Sequence, residues 1–117
     1  MKDTRPPGKT TVAPDVLLTI ARQSALAVPG VSDMAPVPGG VNRLFRHGTG
    51  DGVRIDVKEN FADVDLFISL KHDVNIREVS RNVQQQVARA ISEMVGIEIS
   101  HVNIHIEDIE FDEDYEA

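Results

Sequence analysis

The sequence has no cysteine and no tryptophan, and its aromatic residues are four phenylalanines and one tyrosine. Without cysteine the chain can form neither a disulfide framework nor a thiolate metal site, which fits a cytosolic protein. No apolar run approaches the roughly 18–20 residues that a membrane-spanning helix needs. The charged first residues have no apolar stretch behind them, so they do not resemble a secretory signal. We therefore expect a soluble protein without a metal, a cofactor or a membrane span.

Charge of one sign is concentrated at one end of the chain. The formal net charge is −7, and residues 107–117 carry seven of the nineteen acidic residues and no basic one. The other 106 residues balance at twelve acidic and twelve basic side chains. A length of 117 residues suits one domain with its own core. We expect a flexible N-terminal segment over residues 1–11, a single α+β domain over 12–109 and an acidic, disordered tail over 110–117.

Two segments have the apolar spacing of amphipathic helices. The first is predicted over residues 14–28, with Pro14 suited to the first helical position and Pro29-Gly30 ending it. The second is predicted over residues 76–95, between the N-cap Asn75 and a closing Gly96. The apolar stripes that we expect to face the core are Leu17, Ile20, Ala21, Ser24 and Val28 in the first helix, and Ile76, Val79, Val83, Val87, Ala90, Ile91 and Met94 in the second.

Alternation of apolar and polar residues predicts the strands. Residues 53–58 and 63–71 alternate strictly and are joined by a short hairpin connection. Residues 31–35 fit a short strand, and 36–52 are rich in glycine and proline, as loops are. Residues 97–109 change phase at Ser100-His101, which predicts a bulge or the true start of the strand there.

This order of elements predicts the fold class α+β: a small mixed or antiparallel sheet of three to four strands, with the two amphipathic helices on one face. The other face would then carry polar side chains. The candidate partner-binding residues on it are Phe67, His101, Asn103 and His105. An edge strand, with its unpaired backbone groups, is a second surface for a protein partner or for self-association.

Motifs that suggest chemistry have simpler structural interpretations. His101 and His105 share a strand face but lie roughly 13 Å apart at about 3.3 Å per residue, too far for one metal ion. The glycine-rich stretch 47–52 precedes a strand and contains Asp51, so we interpret it as a turn and not as a phosphate loop. Asp63 and Asp65 are expected to be solvated carboxylates. No nucleophile–base–orienter pattern is present, so we predict no catalytic residues and no enzyme.

Nucleic-acid binding is the alternative function. Its strongest support is Arg77, Arg81 and Arg89, which could form a basic stripe on the second helix. Binding to single-stranded nucleic acid would also need aromatic platforms and a basic groove. The small number of aromatic residues argues against aromatic platforms, and the balanced charge of residues 1–106 argues against a basic groove. We therefore expect no nucleic acid partner.

Five blocks of the sequence resemble the alkaline shock protein family of bacterial envelope stress response proteins. The blocks span roughly residues 10–109 and keep the family's order: KTTVAPDVL, ALAVPGV, DVDLFISL, VNIREVSRNVQQQV and ISEMVGIEISHVNIHI. The resemblance implies a small, non-enzymatic, cytosolic protein of Gram-positive bacteria that takes part in stress response and cell-envelope homeostasis. It brings no catalytic or ligand-binding residues with it.

The resemblance also implies how such a protein works. Some family members associate with the membrane through a separate anchor protein. We therefore expect an interaction or scaffold module whose partner is a membrane-anchored envelope protein, with a homo-oligomer as a further form. The expected location is the cytoplasm, with peripheral attachment at the inner face of the cell membrane through that partner.

Overall fold

The computed structural model describes residues 13–37, 49–50, 52–59 and 61–111, and the predicted N-terminal segment lies outside them. The described residues form two helices and one sheet. The elements in chain order are α1 (Pro14–Leu26), β1 (Val31–Met34), β2 (Thr49–Gly50), β3 (Val53–Val57), β4 (Phe61–Lys71), α2 (Ile76–Val95) and β5 (Glu98–Glu110). The predicted fold class is confirmed.

Strand β4 is the centre of a mixed sheet. On one edge β5 runs parallel to it, from the pair Phe61–Glu98 to the pair Lys71–Glu110. On the other edge β3 and β1 follow each other, both antiparallel to β4. The two-residue strand β2 pairs with β3 and lies inside the segment predicted as loop. Because β1 and β3 share one edge, the five strands make a sheet only four strands wide.

The shared edge of β1 and β3 depends on Gly52. Its φ angle is +84°, and an added Cβ would lie 2.6 Å from the carbonyl oxygen of Ala35 and 2.8 Å from that of Phe67. At this point the Phe67 amide donates to the Gly52 carbonyl and the Ala35 amide donates to the Phe67 carbonyl. A left-handed residue without a side chain therefore lets both strands meet along β4.

Strand β5 contains two bulges. Its pairing with β4 skips Ser100 and Glu107, so the partners step from Ile99 to His101 and from Ile106 to Asp108. Each skipped residue reverses the alternation and returns the next apolar side chains to the core face. The first bulge confirms the break predicted at Ser100, and β5 extends one residue past the predicted domain boundary.

Both helices cover the same face of the sheet. The fully buried strand residues include Val64, Leu66, Ile68 and Leu70 of β4. The Asn75 side chain accepts a hydrogen bond from the Glu78 amide at 3.0 Å and caps α2 as predicted. Gly96 ends the helix at φ +76°. The helix residues in the core cluster are Leu17, Ala21 and Ala25 of α1, and Val79, Val83, Val87 and Ile91 of α2.

Two expected core positions are exposed. Ile76 is 47% exposed and Met94 is 69% exposed. They lie at the two ends of α2, which at about 1.5 Å per residue is some 10 Å longer than the thirteen-residue α1. The burial predicted for α2 was therefore right in the middle of the helix and wrong at its two ends.

Candidate partner-binding face

The sheet face opposite the helices carries a connected group of polar and aromatic side chains. We call it the open face. Its members belong to three adjacent strands, because β4 lies between β3 and β5. The residues that define it are Arg54 of β3, Asp63, Asp65 and Phe67 of β4, and His101, Asn103 and His105 of β5. All four residues predicted as the partner-binding face belong to this group.

Phe67 and His105 are the centre of the open face. They are direct cross-strand partners, and their rings stack with centroids 4.4 Å apart at an interplanar angle of 11°. The Arg54 guanidinium carbon lies 5.4 Å from the Phe67 ring centroid. Phe67 is only 4% exposed. It therefore supports the half-exposed His105 and cannot itself offer much surface to a partner.

Asp65 connects the three strands through its carboxylate. Its Oδ1 accepts from Asn103 Nδ2 and from His105 Nε2, both at 3.2 Å. Its Oδ2 lies 3.5 Å from Arg54 Nε. A proton on His105 Nε2 is the tautomer that lets the ring donate to an ionised Asp65 carboxylate. Asp65 thereby holds the orientation of one side chain from β3 and two from β5.

Asp63, two residues before Asp65 on β4, also contacts a histidine of β5. Its Oδ1 lies 3.1 Å from His101 Nδ1. The Asp63 side chain is 31% exposed and the His101 side chain 72%. Asp63 and Asp65 were expected to be solvated carboxylates. Both side chains keep partial exposure, at 31% and 23%, and each also has a histidine from β5 as its partner.

The chemistry that this face offers is recognition by hydrogen bonds and ring stacking. The two histidines contact different carboxylates and so do not converge. Over the residues that the structure describes, no group of three or more His, Cys, Asp or Glu side chains is placed to hold a metal ion.

Sequence reasoning missed the roles of Arg54 and Asp65. Both were expected on the polar side of the sheet, but nothing in the sequence said which strand would be their neighbour. The missing information is the parallel register between β4 and β5, which places Asp65 opposite Asn103 and Phe67 opposite His105.

The helix side has a cleft of about 540 Å³ between α1 and α2. Asn82, Gln85, Gln86 and Arg89 line it on the α2 side. Arg89 is the one titratable side chain among the described lining residues, and its Nε lies 3.3 Å from Glu93 Oε2. The cleft therefore has no acid–base pair facing its interior.

The three arginines considered for nucleic-acid binding do not share one stripe. Gln84 donates from Nε2 to the Val102 carbonyl of β5 at 2.9 Å, so that side of α2 faces the edge of the sheet. Arg77 and Arg81 lie seven and three residues before Gln84, on the same side of the helix. Arg89 instead faces the cleft toward α1. This separation removes the basic stripe on which the alternative function depended.

None of the described helices is both long enough and apolar enough to cross a membrane.

The chain is similar in sequence to two curated relatives and similar in fold to a group of solved structures. The uncharacterized protein YqhY of Bacillus subtilis is 32% identical over 107 residues, covering 90% of this chain and 79% of that protein. The uncharacterized protein Spy1535 of Streptococcus pyogenes is 29% identical over 103 residues, covering 87% and 79%. Among solved structures, a variant of the MamM CTD has the same fold, with a TM-score of 0.52 at 14% identity, covering 82% of this chain and 95% of that one.

The family match extends over nearly the whole chain. Residues 2–111 fit the model of the alkaline shock protein 23 family, which is described as having a cell envelope-related function. This confirms the resemblance stated from the sequence blocks, and the two relatives above come from Gram-positive bacteria, as that resemblance implied. The chain belongs to the alkaline shock protein 23 family.

Proposed function

We propose that this protein works without catalysis, as an interaction module in cell-envelope stress response and homeostasis, and that a protein partner binds its open face. The observation that carries the proposal is the position of Asp65, which holds Arg54, Asn103 and His105 in one arrangement. Side chains that are already ordered lose less conformational entropy when a partner binds. A flat face with fixed donors suits a protein surface better than a small molecule.

The exposed part of the face belongs to β5. Every second residue of this part of β5 points outward: His101, Asn103 and His105. Phe67 lies beneath His105. Contacts with a partner would therefore come mainly from these three residues. Phe67 and the two aspartates would keep the three side chains in position.

The outer edge of β5 is the weaker candidate surface. Two bulges interrupt the strand at Ser100 and Glu107. Gln84 donates to the Val102 carbonyl. The strand also carries four acidic side chains, Glu98, Glu107, Asp108 and Glu110. Bulges, charges and covering groups are the features by which natural sheets discourage strand addition.

The family supports the cellular setting of the proposal. The function described for the family is related to the cell envelope, and none of the described helices can span a membrane. We therefore propose a cytoplasmic protein that reaches the inner face of the membrane through a membrane-anchored partner. A second copy of the chain, giving a homo-oligomer, is the other occupant of the open face that an experiment must separate.

The test is fractionation of native-host lysate with and without detergent, followed by pull-down on the tagged full chain. We expect the wild-type protein to sediment with membranes and to bring down an envelope protein after detergent. A double variant, His101→Ala with Asn103→Ala, should lose this partner, because both side chains are exposed and their removal leaves Phe67 covered.

The matched control is a double variant on the helix side, Arg89→Ala with Glu93→Ala, which also removes two exposed and mutually bonded side chains. It should keep the partner. Purely soluble recovery of the wild-type protein, or equal loss in both double variants, would contradict the proposal. Recovery of only the chain itself would assign the open face to self-association.

A further inference from the structure

We propose that the partner of the open face inserts an arginine side chain beside Ser69, where the carboxylates of Asp33 and Asp108 bind its guanidinium group. We call Asp33, Ser69 and Asp108 the serine row. This inference rests on the function proposed above and adds the chemistry of the partner. Its own starting observation is the buried, unpartnered hydroxyl of Ser69.

The serine row continues the open face by one step along β4. Ser69 is the direct cross-strand partner of Asp33 on β1 and of Asp108 on β5. Its neighbours Ile68 and Leu70 belong to the core cluster, so Ser69 faces away from the helices. Three adjacent strands therefore place a hydroxyl between two acidic residues.

The two aspartates also face away from the helices. Met34 and Ile109, which directly follow them, pack against the core cluster, and successive side chains of a strand point to opposite faces. Asp33 follows the irregularity at which β1 changes register, and Asp108 follows the bulge at Glu107. Each change of register thus sets a carboxylate on the open side of the sheet.

Ser69 is a buried polar side chain without a partner in the protein. It is only 6% exposed, and its hydroxyl makes no hydrogen bond to any residue that the structure describes. The large majority of buried polar side chains in proteins do have a hydrogen-bond partner, because leaving one unpaired is destabilising. The Ser69 hydroxyl is therefore available to accept a hydrogen bond from a group that a partner brings.

The carboxylates of the serine row are exposed and lack a cationic partner among the described residues. Each Oδ1 accepts from the backbone amide that follows it, at 2.7 Å for Asp33 and 2.9 Å for Asp108. Asp63 and Asp65 differ, because each already has a histidine of β5 as its partner. The serine row is thus a part of this side of the sheet where negative charge is still unpaired.

Negative charge also predominates next to the serine row. Ser32 donates from its hydroxyl to the Glu110 carboxylate across β4, which holds a third acidic group beside the row. Lys71, the cross-strand partner of Glu110, is the opposing charge. Three acidic side chains against one basic side chain favour a cationic ligand and disfavour direct contact with anionic lipid headgroups.

A guanidinium group suits this arrangement better than other cations. Its five N–H donors lie in one plane, so one group can donate to carboxylates on two sides and to a hydroxyl between them. An ammonium group has its three donors on a single nitrogen. It is less suited to carboxylates from two strands that lie about 9–10 Å apart across β4. A metal ion needs more ligands than the described side chains bring together here.

The test is an NMR titration of the isotope-labelled full chain with the peptide acetyl-Ala-Arg-Ala-amide, which carries one guanidinium group and no other charge. We expect the amide signals of residues 31–34, 68–70 and 107–109 to shift and to saturate at millimolar peptide. The same peptide with citrulline, which keeps the shape of arginine without its charge, should bind about tenfold more weakly or worse. A lysine peptide should bind with an affinity between the two.

Two variants assign the response to the serine row. The double substitution Asp33→Asn with Asp108→Asn should weaken binding of the arginine peptide by about tenfold or more, and Ser69→Ala should weaken it about threefold. The matched control is Glu93→Gln with Glu98→Gln, which removes the same total charge on α2 and at the other end of β5. It should leave the affinity at its wild-type value.

Three results of the titration would overturn the inference: equal affinity for the citrulline peptide, equal weakening in the two double variants, or no effect of Ser69→Ala. Movement of the same signals when the protein concentration is raised without peptide would also overturn it. The occupant of the row would then be a second copy of the chain.

The pull-down described above separates this inference from the proposed function. If Asp33→Asn with Asp108→Asn keeps the envelope partner while His101→Ala with Asn103→Ala loses it, the inference fails and the proposed function stands. If the arginine peptide binds as expected but no envelope partner is recovered, the proposed function fails. Recognition of a guanidinium group by the serine row then stands without it.

Discussion

The two faces of the sheet are both partly closed to water, but by different means, and strand β4 shows the difference within two consecutive residues. Leu66 is fully buried beneath the helices, and the next residue, Phe67, is 4% exposed on the opposite face. Leu66 belongs to the hydrophobic core cluster, whereas Phe67 has a stacked histidine and an arginine as neighbours. Cover on the open face is thus built by polar side chains of adjacent strands.

Cover by polar side chains of adjacent strands is limited to one part of the open face. Phe61 lies on the same strand and alternates onto the same face, yet it is 36% exposed. Its cross-strand partner on β5 is Glu98, which cannot stack as His105 does. A hydrogen-bonded group of side chains can cover one point of a sheet face and leave the rest exposed to water. Helices instead cover a sheet face continuously.

The largest effect should come from Phe67→Ala. If the open face closes over this ring as a core would, the substitution should cost about 3 kcal/mol in the free energy of unfolding, as truncation of a buried aromatic residue does. Denaturant titration monitored by circular dichroism measures the loss. Phe61→Ala is the control on the same strand and face, and it should cost less than about 1 kcal/mol because its ring is largely solvated. Equal costs would show that the stacked cover of Phe67 has no energetic weight.

The second-largest effect should come from Gly52→Ala. This residue lies where β1 and β3 meet along β4, so both faces of the sheet depend on its backbone conformation. A Cβ at this position would meet two carbonyl oxygens within 3 Å. We expect a loss of more than about 2 kcal/mol, since the left-handed conformation alone costs roughly 1–2 kcal/mol for an L-residue.

Gly96→Ala separates the two parts of that cost. Gly96 is also left-handed, at φ +76°, but an added Cβ would find no atom within 4 Å. The substitution should cost about 1 kcal/mol, which is the conformational part alone. If both substitutions cost the same in thermal or denaturant unfolding, the close approach of β1 and β3 at Gly52 would not constrain the fold.

The covered face was predictable from the sequence and the open face was not, for a physical reason. Helical and strand periodicity mark the side chains that must leave water, and they identified Leu66 and Val83 directly. Even the bulge at Ser100 was visible, because it shifts the phase of Ile97 and Ile99 relative to Val102. Periodicity alone does not say which strands are neighbours.

The open face depends on that neighbour information. Asp65 meets Asn103 and His105 only because β5 returns parallel to β4 through α2, at one particular register. Asp65 and Asn103 are thirty-eight positions apart in the sequence. The four predicted face residues lie on one side of the sheet, but the carboxylates that bond His101, Asn103 and His105 were interpreted as ordinary solvated groups.

A smaller effect is expected for His105→Ala on the open face. The change removes one hydrogen bond to Asp65 and the ring stacked on Phe67. A partly exposed bond and an aromatic contact of this kind contribute about 1 kcal/mol to stability. Urea unfolding should detect this loss, and His101→Ala, whose side chain is 72% exposed, should lie within experimental error of the wild type. A larger cost at His101 than at His105 would show that Asp63 and not Asp65 organises the face.

The smallest effect is expected for Gln84→Ala. This substitution tests the contact between the helix layer and the edge of the sheet. Gln84 reaches from the helix layer to the Val102 carbonyl on the edge of the sheet. One hydrogen bond of this kind contributes about 1 kcal/mol or less, so global stability should hardly change. Hydrogen exchange should nevertheless become faster for the amides around Val102, because the edge of β5 loses its contact with α2 while the core beneath Leu66 stays closed. Gln85→Ala, on the adjacent cleft side of the same helix, should leave those amides unchanged. If both variants accelerate exchange equally, the edge of β5 would be protected by its pairing with β4 alone, and the Gln84 bond would contribute nothing to it.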